Sequence, residues 1–214
     1  MIKAVLWDMD GVLVDTGPYH FAAWRELFRS VGRELSEAEF QRTFGLRNKA
    51  ILQATLGELP PERIEELSLR KEELFRRAIA GKAQATPGSL ALLRRMKDAG
   101  LLTAVVSSAP RLNVETLLAS LGVSDAFDLI VAEEDVERGK PDPQGYLCAA
   151  ERLGVAPADC VVIEDAPGGV EAAKRAGMRC IGLAAGRLSA ELAAADLVVG
   201  SLEEQAVYSF LDIG

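Results

Sequence analysis

Short, almost continuously apolar runs most constrain how this 214-residue chain can fold. Five of them, with a shorter sixth, lie at residues 2–7, 102–107, 128–132, 160–164, 179–184 and 196–199. Strands that are buried on both faces of a parallel sheet have this composition. Helix-like segments accompany the later runs, at residues 89–99, 111–122, 143–154, 167–177 and about 202–212. Because strands alternate with helices, the pattern predicts an α/β fold.

Residues 16–82 interrupt this alternation. They carry amphipathic, Glu- and Arg-rich helical patterns and no convincing strand. Pro87 and Gly88 then mark a turn where the α/β pattern resumes. We therefore expect an α/β core domain at 1–15 and 83–214, with a small all-helical domain at 16–82 inserted after the first strand.

The overall charge and the lack of long apolar stretches argue against binding to nucleic acids or membranes. The formal net charge is −8, whereas non-specific binding to nucleic acids or anionic membranes requires clustered positive charge. No uninterrupted apolar stretch approaches the length of a membrane-spanning helix, and acidic residues occupy the place where a signal peptide would be apolar. We expect a cytoplasmic protein that binds neither nucleic acid nor membrane.

Cysteine and histidine usage narrows the chemistry further. Cys148, Cys160 and Cys180 are widely spaced and form no CxxC pair, so they are expected to be buried small residues rather than disulfides or a zinc site. His20 is the single histidine. A Ser-His-Asp triad or a two-histidine zinc site would have to depend on that one residue.

Polar residues follow several of the predicted strands at the point where each strand ends. They are Asp8 and Asp10 after the first strand, Ser107 after the second, Lys140 in the loop after the third, and Glu164 with Asp165 after the fourth. The carboxyl ends of parallel strands share one edge of a sheet, which is where open α/β sheets bind ligands. So many carboxylates at one edge repel one another unless a cation joins them.

The ligand atoms in this set are oxygens, which favours Mg²⁺ over zinc. A magnesium ion beside a carboxylate nucleophile, with a lysine and a hydroxyl for the oxygens of a bound anion, suits phosphoryl transfer. The same arrangement allows an aspartyl-phosphate intermediate.

Four segments resemble, in order, the motifs of the haloacid dehalogenase-like (HAD) hydrolase superfamily. They are DMDGVLVD, VVSSAP, GKPDP and VIEDAPGGVEAAKRAGM. The helical insertion after the first motif resembles the cap of subfamily I, the group that contains β-phosphoglucomutase and phosphoglycolate phosphatase. The resemblance implies a Rossmann-like parallel-sheet core with a helical cap.

The resemblance also implies a role for each core residue. Asp8 is the expected nucleophile, Asp10 the general acid and base, and Lys140 the cation that neutralises charge on the nucleophile and the transferred group. Ser107 and Ser108 are expected to bind the phosphoryl group, although Ser108 also suits a helix N-cap. The expected Mg²⁺ ligands are Asp8, Asp10, Glu164 and Asp165.

Three residues of the insertion are candidate substrate contacts. His20 resembles the corresponding histidine of β-phosphoglucomutase, although a structural role is equally expected. Arg47 lies in FGLRNKAIL, which resembles a substrate-specificity loop, and Lys71 aligns with a cap lysine; either can instead be a solvated surface residue. β-Phosphoglucomutases have a serine where Arg47 stands and an arginine where Asn48 stands, which disfavours mutase activity.

The function expected from the sequence is therefore Mg²⁺-dependent hydrolysis of a small phosphorylated metabolite by a monomer or weak homodimer. A β-phosphoglucomutase-like mutase and a non-catalytic metabolite-binding module are the alternatives. Dehalogenation is disfavoured, because true dehalogenases lack the aspartate that corresponds to Asp10. A non-catalytic module would be expected to have lost part of the motif set that is intact here.

Overall fold

The computed structural model describes residues 1–43, 46–185 and 189–214. The chain forms two compact units. One comprises Met1–Asp15 with Gln84–Gly214, and we call it the core unit. The other comprises Thr16–Ala83, and we call it the helical unit.

A six-stranded parallel sheet forms the centre of the core unit, in the order β3-β2-β1-β4-β5-β6. The strands are β1 (Ala4–Trp7), β2 (Leu102–Val106), β3 (Leu129–Val131), β4 (Cys160–Glu164), β5 (Arg179–Leu183) and β6 (Leu197–Val199). Each lies within the apolar run that predicted it, so the predicted α/β class is confirmed. Since Ala4 of β1 pairs with Leu102 on one side and Cys160 on the other, the chain changes direction across the sheet at β1. Ligands of open α/β sheets bind at such a switch point.

Helices cover the sheet and bury its apolar side chains. Along the chain they are α5 (Ser89–Asp98), α6 (Arg111–Leu121), α7 (Gln144–Leu153), α8 (Pro167–Arg175) and α9 (Gln205–Leu211). Leu6 and Val162 of the sheet belong to the same buried cluster as Ala149 of α7 and Val170 of α8. Every residue of β1 and β4 is buried, which explains why these strands are apolar throughout rather than alternating.

Helix α9 begins three residues later than the sequence pattern predicts. The Glu204 carboxylate accepts hydrogen bonds from the backbone amides of Gly200 (2.7 Å) and Ser201 (3.0 Å). These bonds hold a turn before the helix. The predicted start at 202 is therefore wrong, because a local side-chain contact competes with helix formation.

The helical unit contains α1 (Gly17–Ser30), α2 (Glu37–Thr43), α3 (Asn48–Leu56) and α4 (Pro61–Ile79). Helices α1 and α4 pack together. Trp24 and Phe28 of α1, and Phe75 of α4, are at most 1% exposed. No strand occurs among the described residues of this unit, as its sequence pattern predicts.

Two of the three cysteines, Cys160 and Cys180, are buried as expected. The same expectation is wrong for Cys148, which is half-buried because it packs against the apolar cluster from its edge. Burial raises the pKa of the Cys160 thiol to about 11, so it is protonated at neutral pH. Within the described ranges, no helix is both long and apolar enough to cross a membrane.

Candidate active site

Asp8 is the first residue after β1 and is 8% exposed. Its amide donates to the Ile163 carbonyl of β4 at 3.0 Å, which extends the strand pairing by one residue. The chain then turns sharply, because Gly11 N–H donates to the Val14 carbonyl at 2.8 Å. The end of β1 thus presents the Asp8 carboxylate at the switch point, with Asp10 half-buried in the following turn.

Gly11 allows Asp165 to approach this turn. Its φ is +83°, and a Cβ at this position would lie 2.3 Å from Asp165 Oδ2. Any other residue would clash with that carboxylate and would also strain the backbone. The glycine of the first motif therefore makes room for the aspartate of the last.

Lys140 connects the carboxylates. Its ammonium donates to Asp8 Oδ1, to Glu164 Oε1 at 2.6 Å and to the Val106 carbonyl at 3.2 Å. These acceptors use its three N–H donors. Although burial favours the neutral amine, the Asp8 and Glu164 carboxylates raise the pKa of Lys140 above its ordinary value. The lysine is therefore a permanent positive charge beside Asp8.

Glu164 is 1% exposed, and both of its carboxylate oxygens accept hydrogen bonds. Oε1 accepts from Lys140 and, at 2.8 Å, from the Tyr146 hydroxyl. Oε2 accepts from the backbone amides of Asp165 (3.0 Å) and Ala166 (3.2 Å). Gly169 makes this placement feasible, because a Cβ there would lie 1.8 Å from Glu164 Oε1.

The carboxylates around Asp8 outnumber the positive charge of Lys140. Burial raises the pKa of Asp8 well above its ordinary value, and Lys140 only partly opposes this. The carboxylates of Glu164, Asp165 and Asp10 raise the pKa further. One lysine is therefore insufficient to balance the carboxylates around the Asp8 side chain.

This donor set fits a hard divalent cation. Carboxylate oxygens of Asp8, Glu164 and Asp165 all lie within 4.8 Å of one another. Oxygen donors at this spacing, carrying surplus negative charge, are the ligands that Mg²⁺ prefers. A cation among them would remove the repulsion that opposes ionisation of Asp8.

Ser107 and Ser108 follow β2 at the same edge of the sheet. Ser107 is 5% exposed, its amide donates to the Val131 carbonyl at 2.9 Å, and its Oγ accepts from Ala109 N–H at 3.1 Å. That contact leaves the hydroxyl hydrogen available to a ligand oxygen. Ser108 does not cap α6, because the N-cap residue is Pro110. The alternative interpretation of Ser108 as an N-cap is therefore wrong.

In the helical unit, Lys71 and His20 contact each other. Lys71 Nζ lies 2.9 Å from His20 Nδ1 and 2.8 Å from Glu72 Oε1. Asn48 Nδ2 also donates to Glu72 Oε1, at 2.7 Å, and His20 stacks on Phe75 with a ring separation of 3.9 Å. Lys71 is 3% exposed and His20 9% exposed. These contacts favour a structural role, and substrate contacts by these two residues stay predictions.

Arg47 is the N-cap residue of α3 and is half-buried. The expected specificity loop extends from Phe44, but Phe44 and Gly45 lie outside the described residues. Arg47 as a substrate contact therefore also stays a prediction.

The sequence did not single out Tyr146, which is fully buried on α7. Its hydroxyl donates to Glu164 and its ring centroid lies 5.1 Å from Lys140 Nζ. A tyrosine on the buried side of an amphipathic helix is indistinguishable from an ordinary core residue. No local pattern links it to Lys140, which lies in the loop before α7 begins at Gln144.

Comparison with known proteins agrees with this geometry. The family model for haloacid dehalogenase-like hydrolases matches residues 2–177. Validoxylamine A 7'-phosphate phosphatase of Streptomyces hygroscopicus subsp. limoneus is 32% identical over 204 residues, which cover 95% of this chain and 96% of that protein. The phosphorylated carbohydrates phosphatase of Thermotoga maritima is 35% identical over 181 residues, 84% of each chain.

A crystal structure of β-phosphoglucomutase from Clostridium difficile superimposes with a TM-score of 0.90 at 28% identity, covering 100% of this chain and 97% of that one. The family match spans the first three motifs and all but the last residue of the fourth, and the carboxylates and lysine of those motifs converge at the end of β1. The chain belongs to the haloacid dehalogenase-like hydrolase family.

Proposed function

We propose that this protein is a Mg²⁺-dependent phosphatase that hydrolyses a small phosphorylated metabolite through an aspartyl-phosphate at Asp8. The observation that carries the proposal is the buried Asp8 carboxylate, which contacts Lys140 within a cluster of further carboxylates. A carboxylate placed beside a fixed cation is a suitable nucleophile for phosphorus.

The first half-reaction transfers the phosphoryl group to the protein. Asp8 attacks phosphorus, the phosphorus–oxygen bond of the ester breaks, and the leaving oxygen takes a proton from the Asp10 carboxyl. Lys140 and the Ser107 and Ser108 hydroxyls stabilise the charge on the transferring oxygens. Asp10 fits the proton-transfer role because it lies two residues beyond the nucleophile and is more exposed than Asp8.

The second half-reaction restores the enzyme. Asp10, now a carboxylate, removes a proton from water, which attacks the phosphorus of the aspartyl-phosphate. The bond between phosphorus and Asp8 breaks, so inorganic phosphate and the free Asp8 carboxylate result. One residue thus acts as acid and then as base, as general acid–base catalysis requires.

Mg²⁺ would be held by Asp8, Asp10, Glu164 and Asp165. When bound, it supplies positive charge that offsets the negative charge of these carboxylates and of a phosphate ester. The hydrogen bonds that Glu164 already makes limit how freely its oxygens can turn toward the ion. Asp8 and Asp165 are therefore the expected principal side-chain ligands.

The names of the two relatives support a phosphorylated carbohydrate or a related metabolite as the substrate class. We propose the same class here, with His20, Arg47 and Lys71 as candidate contacts on the helical unit. The intact motif set also favours an enzyme over a non-catalytic binding module.

A mutase is the second candidate, because the superimposed crystal structure is a β-phosphoglucomutase. Such an enzyme would return the phosphoryl group from Asp8 to a bound sugar rather than to water. Arg47 and Asn48 oppose this assignment, since they differ from the β-phosphoglucomutase pattern.

A release assay tests both assignments. The protein is incubated with a panel of sugar phosphates, phosphoglycolate and nucleotides, with Mg²⁺ or with EDTA. We expect release of inorganic phosphate that requires Mg²⁺ and favours sugar phosphates. Conversion of β-glucose 1-phosphate to glucose 6-phosphate in the presence of a bisphosphate primer, without net phosphate release, would instead establish a mutase.

A further inference from the structure

Tyr146 contacts the lysine–carboxylate cluster from the interior of the core unit. Its hydroxyl donates to Glu164 Oε1 at 2.8 Å, the same oxygen that accepts from Lys140 at 2.6 Å. The Lys140 ammonium also lies 5.1 Å from the centre of the Tyr146 ring. Tyr146 therefore touches both partners of the Lys140–Glu164 ion pair.

The tyrosine is a fixed donor. It is 0% exposed, so its ring is held by packing. Its hydroxyl donates to Glu164, and full burial keeps it from touching a substrate.

Lys140 is held between two competing carboxylates, Asp8 and Glu164. The hydrogen bond from Tyr146 partly satisfies Glu164 Oε1 and so weakens the attraction of Glu164 for the ammonium. The amides of Asp165 and Ala166 meanwhile prevent the carboxylate from rotating away. Together these contacts leave the lysine charge beside Asp8, where the phosphoryl group is transferred.

We propose that Tyr146 is a positioning residue, which through its hydroxyl on Glu164 and its ring beside Lys140 sets where the lysine charge lies relative to the nucleophile. The inference rests on the proposed phosphatase function. It assigns a role in phosphoryl transfer to a residue outside the four sequence motifs.

The test is Tyr146→Phe, which removes the hydroxyl and keeps the ring. Orthovanadate serves as the probe, because its five-coordinate adduct resembles the transferring phosphoryl group and transition-state mimics report such stabilisation. Binding is measured by titration calorimetry with Mg²⁺ present. We expect the Kd for orthovanadate to rise about tenfold and kcat to fall by a similar factor, because the loss of one hydrogen bond to a charged group has about this effect. KM is expected to change less than about twofold.

A purely structural role would give a different result. Partial unfolding of Tyr146→Phe would lower the calorimetric stoichiometry and the apparent kcat, but the Kd of the folded molecules would be unchanged. Tyr208→Phe, on α9, is the matched control and is expected to leave Kd and kcat as in the wild type.

A double-mutant cycle shows whether Tyr146 acts through the lysine. In a Lys140→Ala background, Tyr146→Phe is expected to have no further effect on orthovanadate binding. An unchanged Kd in the single variant, or an equal loss in both backgrounds, would overturn the inference. A wild-type protein without phosphatase activity would instead overturn the proposed function and the inference together.

Discussion

At the scale of single residues, the neighbouring Gly169 and Gly168 differ in whether the structure has room for a side chain. A Cβ on Gly169 would lie 1.8 Å from Glu164 Oε1, whereas a Cβ on Gly168 would meet nothing within 4 Å. Both belong to the first turn of α8 and neither has a positive φ. Substitutions at these two positions therefore distinguish the need for space beside Glu164 from the general effect of glycine on helix stability.

We predict that Gly169→Ala lowers the free energy of unfolding by about 2 kcal/mol, because the new methyl group overpacks a buried site. It must also displace Glu164, so kcat is expected to fall at least about tenfold as Lys140 loses a charged partner. Urea unfolding and steady-state kinetics measure the two effects.

Gly168→Ala is the matched control, and it is expected to raise stability by about 0.5–1 kcal/mol while leaving kcat unchanged. Equal effects of the two substitutions would contradict the assigned role of Gly169.

Residue-level prediction from the sequence succeeded where a strand end placed a polar side chain. The strand ends bring Asp8, Glu164 and Asp165 together as expected, and the loop after β3 brings Lys140 to them. Tyr146 was not predicted, because its contact with Glu164 depends on how α7 packs against the sheet. The steric need for Gly11 beside Asp165 was also hidden, since it joins residues that are distant in sequence.

At the scale of elements, a buried charge cluster connects three helices of the helical unit. Glu72 of α4 accepts from Lys71 of the same helix and from Asn48 of α3, while Lys71 contacts His20 of α1. The Lys71 and Glu72 side chains are 4% and 6% exposed. Removal of one partner would leave the other charge buried with less compensation.

The contribution of this cluster to the free energy of unfolding depends on pH, because the pKa of Glu72 is lowered in the folded state. Burial alone would raise the pKa of Glu72, but Lys71, Asn48 and His20 together hold it below the ordinary value of 4.5. A carboxyl with a lowered pKa stabilises the folded state fully above its unfolded pKa, and this contribution is lost as the pH falls through the folded pKa.

We therefore predict that Glu72→Gln lowers the free energy of unfolding by about 2–4 kcal/mol at neutral pH. The difference from wild type should shrink as the pH falls below about 4.5, as followed by denaturant titration at a series of pH values. Glu73→Gln changes the exposed neighbour on the same helix and is expected to have little effect. A Glu72→Gln difference that stays constant between neutral and acidic pH would contradict the lowered pKa.

The strands and core helices were predictable to within a few residues, because fully buried strands and glycine-terminated helices leave local signals. Gly122 and Gly154, for example, end α6 and α7 in the left-handed conformation. The cluster around Lys71 was not predictable, since His20 and Lys71 are 51 positions apart. The charge-rich sequence of α4 instead suggested a solvated face.

At the scale of the whole molecule, function depends on the order of the strands in the sheet. The sequence predicted the strands and where each ends, but not that β1 would lie between β2 and β4. That order brings Ser107 of the β2 end and Glu164 of the β4 end to either side of Asp8. Local patterns carry no information about strand neighbours, whereas the family resemblance does imply the sheet core.

The central claim is that the phosphoryl group passes through Asp8. Enzyme that is quenched with acid during turnover, reduced with borohydride and digested should contain homoserine at position 8, because borohydride reduces an acyl phosphate to an alcohol. Peptide mass spectrometry detects this change, and Asp8→Asn protein is expected to show neither homoserine nor turnover. An unmodified Asp8 during rapid turnover, together with substantial activity of Asp8→Asn, would contradict the account.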